Sequence, residues 1–182
     1  ADSTEGALDS HAALIRGSFD INDPPESMYG VTRMQMRELI AAGKEDEMYE
    51  TIIAKYEELK GNKDFMLVSS ADVGKETHVW NVKLAAALNV PMVLSENVRT
   101  ATGESACGTV EHVFRDMSMA ARELEESNVR LAGVVVNKVP AADFDESAAA
   151  LKTRFGESGM PLIAALPLDD TVGAKQLSDI LQ

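Results

Sequence analysis

Cysteine, aromatic residues and long apolar runs are all scarce in this sequence. Cys107 is the only cysteine of the 182 residues, so the chain cannot form an internal disulfide, and a reducing compartment fits this composition. Aromatic residues make up 5% of the chain, so the core has to be built mainly from Ala, Val, Leu, Ile and Met. No run approaches the ~18 apolar residues of a membrane span, and no signal-peptide pattern is apparent. We therefore expect a globular protein of the cytoplasm, or of an organelle matrix if a targeting segment precedes Ala1.

Positive charge is also scarce. The chain has 17 Lys and Arg residues against 30 Asp and Glu residues, which gives a formal net charge of −13. Such a surface repels the phosphates of nucleic acids and of anionic lipids. We therefore expect neither nucleic acid nor a membrane among the partners. The three histidines, His11, His78 and His112, are scattered along the chain, and the sequence predicts no metal site.

The pattern of apolar residues changes in the middle of the chain. Residues 1–61 are mainly helical in pattern, whereas residues 62–182 alternate apolar, β-branched runs with helical patterns. Buried strands that alternate with helices are typical of a parallel sheet. The sequence thus predicts a single α/β domain over residues 1–182, with a mostly parallel sheet and helices on both faces, in three layers. Strands are predicted at 65–68, 91–95, 130–139 and 161–167, and helices at 3–17, 31–42, 44–60, 76–88, 105–127, 145–155 and 171–181.

The loop after the first predicted strand has part of a nucleotide-binding P-loop. The P-loop pattern is G-x-x-x-x-G-K-[ST], whose backbone N–H groups surround a phosphate and whose hydroxyl holds Mg²⁺. The corresponding frame here is "SSADVGKE", in which Ser69 replaces the first glycine and Glu76 replaces the hydroxyl residue. A carboxylate at that place repels a polyphosphate. Lys75 would therefore contact a nucleotide only if a degenerate P-loop works, and otherwise it lies in solvent after a strand-to-helix turn.

A second candidate is the stretch "VVVNKVP" at residues 134–140. Asn137 and Lys138 stand at the end of a predicted buried strand, where the Asn137 amide could offer a donor and an acceptor to the edge of a purine base. The alternative is that Asn137 hydrogen-bonds its own turn before Pro140. The sequence leaves both interpretations open.

Four segments occur in an order that resembles a known family. They are "YEELKGNKDFMLVSSADVG", "LAAALNVPMVLSEN", "RLAGVVVNKVP" and "PLIAALPLDD". In this order they resemble the amino-terminal domain of bacterial-type phosphate acetyltransferase (phosphotransacetylase), a domain similar to dethiobiotin synthetase and of the P-loop fold class. The resemblance covers residues 7–182. The P-loop-like segment of the family lies before the position of Ala1, so the resemblance implies a P-loop NTPase-like fold whose Walker A motif is absent or degenerate here.

The resemblance implies that this chain itself catalyses no reaction. In the family, acetyl transfer between coenzyme A and phosphate takes place in a separate carboxyl-terminal domain, and nothing in this sequence resembles that domain. The resemblance therefore implies a regulatory or assembly domain with no catalytic residue, no metal and no cofactor of its own, although a metabolite or nucleotide could be its effector. Its partners would be the carboxyl-terminal acyltransferase domain or further copies of itself in a homo-oligomer.

The resemblance also carries over three residues. Asn137, Lys138 and Pro167 match the places where nucleotide-binding relatives approach the base. The P-loop strand of this fold class lies inside the sheet, so we expect the sequence to be a fragment of a longer protein. Missing strands supplied by a partner, or a rearranged sheet, are the alternatives. Two other functions stay open: an ATP-dependent enzyme like dethiobiotin synthetase, or a fragment of one, and a stand-alone interaction module with a dead nucleotide site.

Overall fold

The computed structural model describes residues 15–19, 21–24, 27–61, 63–69, 77–98 and 109–169. The chain divides into two compact units, Ala1–Asp72 and Val73–Gln182. The helix predicted at 171–181 lies outside the described residues, and of the helix predicted at 3–17 only residues 15–17 are described, which are helical.

In the first unit, the helices α1 (Arg33–Ala41) and α2 (Glu45–Lys60) pack against each other. A capping box starts α1: the Thr32 hydroxyl accepts the Gln35 N–H at 3.2 Å, and the Gln35 side chain accepts the Thr32 N–H at 2.9 Å. Gly43, with a φ of +66°, lies in the turn between the helices, where the left-handed backbone favours glycine. Both of these predicted helices are confirmed.

The described residues of the second unit form a three-stranded parallel sheet in the order β1-β2-β3. Helices connect the successive strands, and this allows neighbouring strands to run in the same direction. The predicted α/β fold with a parallel sheet is confirmed. The elements in chain order are α3 (Thr77–Leu88), β1 (Met92–Asn97), α4 (Val110–Glu126), β2 (Leu131–Val139), a 3-10 turn (Ala141–Asp143), α5 (Phe144–Ser158) and β3 (Leu162–Pro167).

The core of the second unit lies between one face of the sheet and the helices α4 and α5. Leu94, Val134 and Val136 belong to a buried cluster with Leu124 of α4 and Phe155 of α5. All but Leu94 are fully buried. Burial of one such side chain stabilises the fold by about 1.5–3 kcal/mol, so this cluster fixes the position of both helices on the sheet.

Some apolar side chains of the two outer strands are exposed. Val93 on β1 and Ile163 and Leu166 on β3 all have exposed side chains. Gly133 of β2 pairs with Val93, and the Ile163 side chain lies close to it, because a Cβ on Gly133 would be 2.6 Å from Ile163 Cγ1. The absence of a side chain at Gly133 therefore makes room for Ile163.

The strand predicted at residues 65–68 is wrong. Residues 65–69 have no regular secondary structure, and Phe65 and Leu67 are 79% and 73% exposed. A strand needs a neighbour to accept and donate its backbone hydrogen bonds, and the described ladder joins only β1, β2 and β3. The apolar, β-prone composition of this segment indicated a strand, but composition alone does not supply that neighbour.

Candidate functional site

The carboxyl ends of the three strands meet at one edge of the sheet. Asn97, the last residue of β1, pairs with Asn137 of β2, and Val139 of β2 pairs with Pro167, the last residue of β3. Lys138 stands between the two paired positions of β2. In open α/β sheets, ligands bind outside this edge. The structure therefore brings together three of the four residues singled out in the sequence.

Asn137 takes part in the turn that follows it. Its side-chain oxygen accepts the Lys138 N–H at 2.8 Å, and its backbone carbonyl accepts the Val98 N–H at 2.9 Å. The Lys138 N–H is a donor and needs an acceptor, so the carboxamide atom that faces it is the oxygen and not the nitrogen. The amide nitrogen has no acceptor among the described residues. Asn137 thus makes the local contact that the sequence left open.

Lys138 has an unusual backbone conformation. Its φ is +55°, in the left-handed region, although it is neither glycine nor asparagine. The register of β2 against β3 is irregular here. Pairing resumes at Val139, whose backbone oxygen accepts the Leu168 N–H at 2.7 Å. Strained residues cluster at ligand sites because the surrounding structure holds them in place. The strain at Lys138 thus marks this turn as a candidate site.

Among the described residues of this edge, the charges do not favour a polyphosphate. Glu96, whose carboxylate accepts the Asn97 N–H at 2.9 Å, and Asp169 bring two negative charges to the strand ends. Lys138 is the only basic residue in the segments 95–98, 137–140 and 167–169. The described part of the edge has two carboxylates, one ammonium group and two amides, and this set suits a ligand that is neutral or only weakly anionic at this end, such as a heterocyclic base.

Lys75, the fourth candidate, lies outside the described residues, as does most of its loop. Within the described ranges, no group of three or more His, Cys, Asp or Glu side chains is placed to hold a metal ion. In the same part of the chain, no helix is both long and apolar enough to cross a membrane.

Asn97 is a residue of this edge that the sequence did not reveal. The first strand of the sheet was predicted at 91–95, but β1 continues to Asn97, directly opposite Asn137. The continuation "EN", Glu96 and Asn97, has polar side chains, and local propensity does not favour a strand there. Pairing with β2 extends the strand, and such pairing cannot be read from the segment itself.

Comparison with known proteins agrees with this fold. A family model described as "AAA domain" matches residues 3–176. The chain is 24% identical, over 184 aligned residues, to the phosphate acetyltransferase of Synechocystis sp., an alignment that covers 99% of this chain and 25% of the relative. It is 23% identical over 150 residues to the phosphate acetyltransferase of Nitrosomonas europaea, covering 79% of this chain and 21% of the relative. No solved structure matches the chain significantly.

The chain spans about a quarter of the length of the curated relatives that it matches. The resemblance to phosphate acetyltransferase found in the order of the segments is confirmed by these relatives. The family match extends over nearly the whole chain and includes all three strands of the parallel sheet. The chain therefore belongs to the AAA domain family, with a P-loop NTPase-like α/β fold.

Proposed function

We propose that this chain is a non-catalytic regulatory or assembly domain of a phosphate acetyltransferase-like protein. In this proposal, acetyl transfer between coenzyme A and phosphate takes place in a separate carboxyl-terminal domain. The observation that carries the proposal is the pattern of similarity: 99% of the chain aligns with a phosphate acetyltransferase, but the alignment covers 25% of that relative. The proposal places the protein in the cytoplasm, or in an organelle matrix.

The charges at the carboxyl edge support a non-catalytic role. Transfer of a phosphate-bound acetyl group needs cations to stabilise the phosphate oxygens. Lys138 is the single basic residue of the described edge, whereas Glu96 in β1 and Asp169, two residues after β3, are acidic. Such an edge is poorly suited to bind inorganic phosphate or a phosphoanhydride.

The same edge supports an effector with a heterocyclic base. The Asn137 amide nitrogen offers donors, and Pro167 ends the adjacent strand with an exposed apolar ring. We propose that a nucleotide or another metabolite binds there through Asn137, Lys138 and Pro167. The chain itself holds no cofactor in this proposal, and its partners are the acyltransferase domain and further copies of the same protein.

Thermal unfolding of the 182-residue chain with Mg-ATP, NADH, pyruvate and acetyl-CoA tests this proposal. A ligand at 100 times its dissociation constant adds roughly 2.7 kcal/mol to the free energy of unfolding. We expect a shift with NADH or pyruvate. A shift with Mg-ATP alone would instead favour an ATP-dependent enzyme like dethiobiotin synthetase, and Lys75→Ala would then be the first variant to make.

Two substitutions at Asn137 separate its two roles. Asn137→Asp keeps an oxygen that accepts the Lys138 N–H but removes the amide donors, whereas Asn137→Ala removes both. If a base binds at this edge, Asn137→Asp should abolish the ligand-induced shift while it leaves the unliganded midpoint nearly unchanged. An unchanged shift in both variants would rule out the carboxyl edge as the effector site.

A further inference from the structure

Two asparagines lie side by side where the first two strands of the sheet end. Asn97 of β1 pairs with Asn137 of β2, and the register of the two strands is regular from the pair of Val93 and Gly133 up to this position. Neighbouring strands lie about 4.7–4.9 Å apart. The two carboxamides are therefore close enough to contact the same small ligand.

Both asparagines lie on the face of the sheet opposite α4 and α5. Successive side chains of a strand point to opposite faces. Leu94 and Val136, at the alternate positions of the same two strands, are buried in the cluster with α4 and α5. Asn97 is exposed and Asn137 is half-buried. The pair thus faces away from the main core of this unit.

Small side chains come directly before the pair on the same face. Ser95 pairs with Val135, and Val135 pairs with Ala164 of β3, so these three residues form one row across the sheet. None of them is larger than valine, so the row forms a shallow surface. A planar ring can lie on this row with one edge toward the two carboxamides, in keeping with ligand sites that combine apolar contacts with a few polar groups.

The two carboxamides offer different groups to a ligand. The Asn137 oxygen accepts the Lys138 N–H at 2.8 Å, so only the N–H₂ group of Asn137 remains to contact a ligand. The Asn97 backbone N–H donates to Glu96 at 2.9 Å, whereas its carboxamide has no hydrogen-bond partner among the described residues. Asn97 can therefore turn its oxygen toward a ligand. The pair then offers a donor from Asn137 beside an acceptor from Asn97.

We propose that Asn97 is a specificity-determining residue of the effector site, and that this site takes a purine with a hydrogen-bond acceptor beside a donor on one edge. The inference rests on the proposed function, in which a heterocyclic base binds at the carboxyl edge. Asn137 donates to the acceptor of the purine, and Asn97 accepts from the neighbouring N–H group. Adenine has this arrangement at N7 and N6, and oxopurines have it at O6 and N1.

The test compares three neutral nucleosides in calorimetric titrations of the full chain. They are adenosine, inosine and purine riboside, the last of which has acceptors but no donor on its purine ring. We expect adenosine or inosine to bind about 2- to 10-fold more tightly than purine riboside, since one hydrogen bond between neutral groups is worth about this much. Tighter binding of adenosine identifies an aminopurine as the effector, and tighter binding of inosine identifies an oxopurine.

Two substitutions at Asn97 show whether this residue causes the preference. Asn97→Ala should reduce the affinity for the preferred nucleoside to that for purine riboside, and the affinity for purine riboside should change little. A purely structural role of Asn97 would weaken the binding of all three nucleosides alike. Asn97→Asp is the matched control, because it keeps an oxygen acceptor, and it should retain the preference. Asn97 is exposed at a strand end, so both variants should unfold near the wild-type midpoint without ligand.

Three results would overturn this inference while the proposed regulatory function stands. The first is equal affinity of the wild type for all three nucleosides. The second is an unchanged preference in Asn97→Ala. The third is the absence of nucleoside binding at millimolar concentration although NADH or pyruvate raises the unfolding midpoint. If neither the nucleosides nor NADH nor pyruvate binds the wild type, the proposed effector site fails together with this inference.

Discussion

Gly133→Ala should destabilise the sheet by an amount that the structure explains. The new Cβ would lie 2.6 Å from Ile163 Cγ1 and 2.9 Å from the backbone oxygen of Pro161. The exposed Ile163 side chain can rotate away, but the Pro161 oxygen accepts the Val134 N–H at 2.8 Å, so its movement weakens the ladder. Forced repacking of this kind costs about 1–3 kcal/mol.

The effect is measured by thermal and urea denaturation. For a chain of this size, a loss of about 2 kcal/mol lowers the midpoint by about 4–8 °C. Ile163→Ala should remove the side-chain part of the clash, so the cost of Gly133→Ala should be smaller in that background but should not vanish. Gly156→Ala is the matched control, because no heavy atom lies within 4 Å of the new Cβ. Gly156 lies inside α5, where alanine stabilises a helix by about 0.5–1 kcal/mol.

Opposite signs for the two glycine substitutions are therefore expected. A Gly133→Ala variant as stable as the wild type would show that β2 and β3 do not pack at the register described here. If Gly133→Ala lowers the free energy of unfolding equally in the wild type and in the Ile163→Ala variant, the clash is with the backbone alone.

Two further predictions concern Lys138 and Tyr49. Lys138→Gly should raise the free energy of unfolding by about 0.5 kcal/mol, because relief of the left-handed backbone, about 1–2 kcal/mol, exceeds the entropy cost of glycine, about 0.5–1 kcal/mol. Lys138→Val should lower the free energy of unfolding. A Val variant more stable than the Gly variant in urea denaturation would contradict this explanation. Burial raises the pKa of Tyr49 above its ordinary value of 10.0, with smaller contributions from Glu45 and Asp46. The folded state therefore holds this proton more tightly, and the free energy of unfolding should fall as the pH rises above 10. Tyr49→Phe should make that fall shallower, and parallel pH profiles for the two proteins would refute the assignment.

The parts of the fold that depend on local pattern were predicted well. The run "RLAGVVVNKV" is rich in β-branched residues, and it forms β2 within one residue of the predicted bounds. The α4 helix was predicted from apolar residues at helical spacing, and Val113, Met117 and Leu124 are buried on its inner face. Asn137 was placed at the end of a strand for the same reason.

The parts that depend on long-range pairing were not predicted. The pairing of Asn97 with Asn137 requires the register of two strands that are separated by a helix. The stacking of Arg154 on Phe114 requires the packing of α4 on α5, and each residue alone is an ordinary helix position. The segment at 65–68 has the composition of a strand but no described partner. In the first two cases the deciding contact lies far away in the sequence, and in the third the described residues supply no partner.

The central claim is that this domain regulates or assembles an acyltransferase without taking part in its chemistry. The most direct test measures acetyl phosphate formation from acetyl-CoA and phosphate, with and without NADH and pyruvate, in the polypeptide that contains this chain and in a version that lacks residues 1–182. The account predicts that the deletion keeps acetyl transfer but loses the response to the effector or the native oligomeric state, and that the 182-residue chain alone is inactive. Acetyl transfer by the isolated chain, or an unchanged effector response and oligomeric state after the deletion, would contradict it.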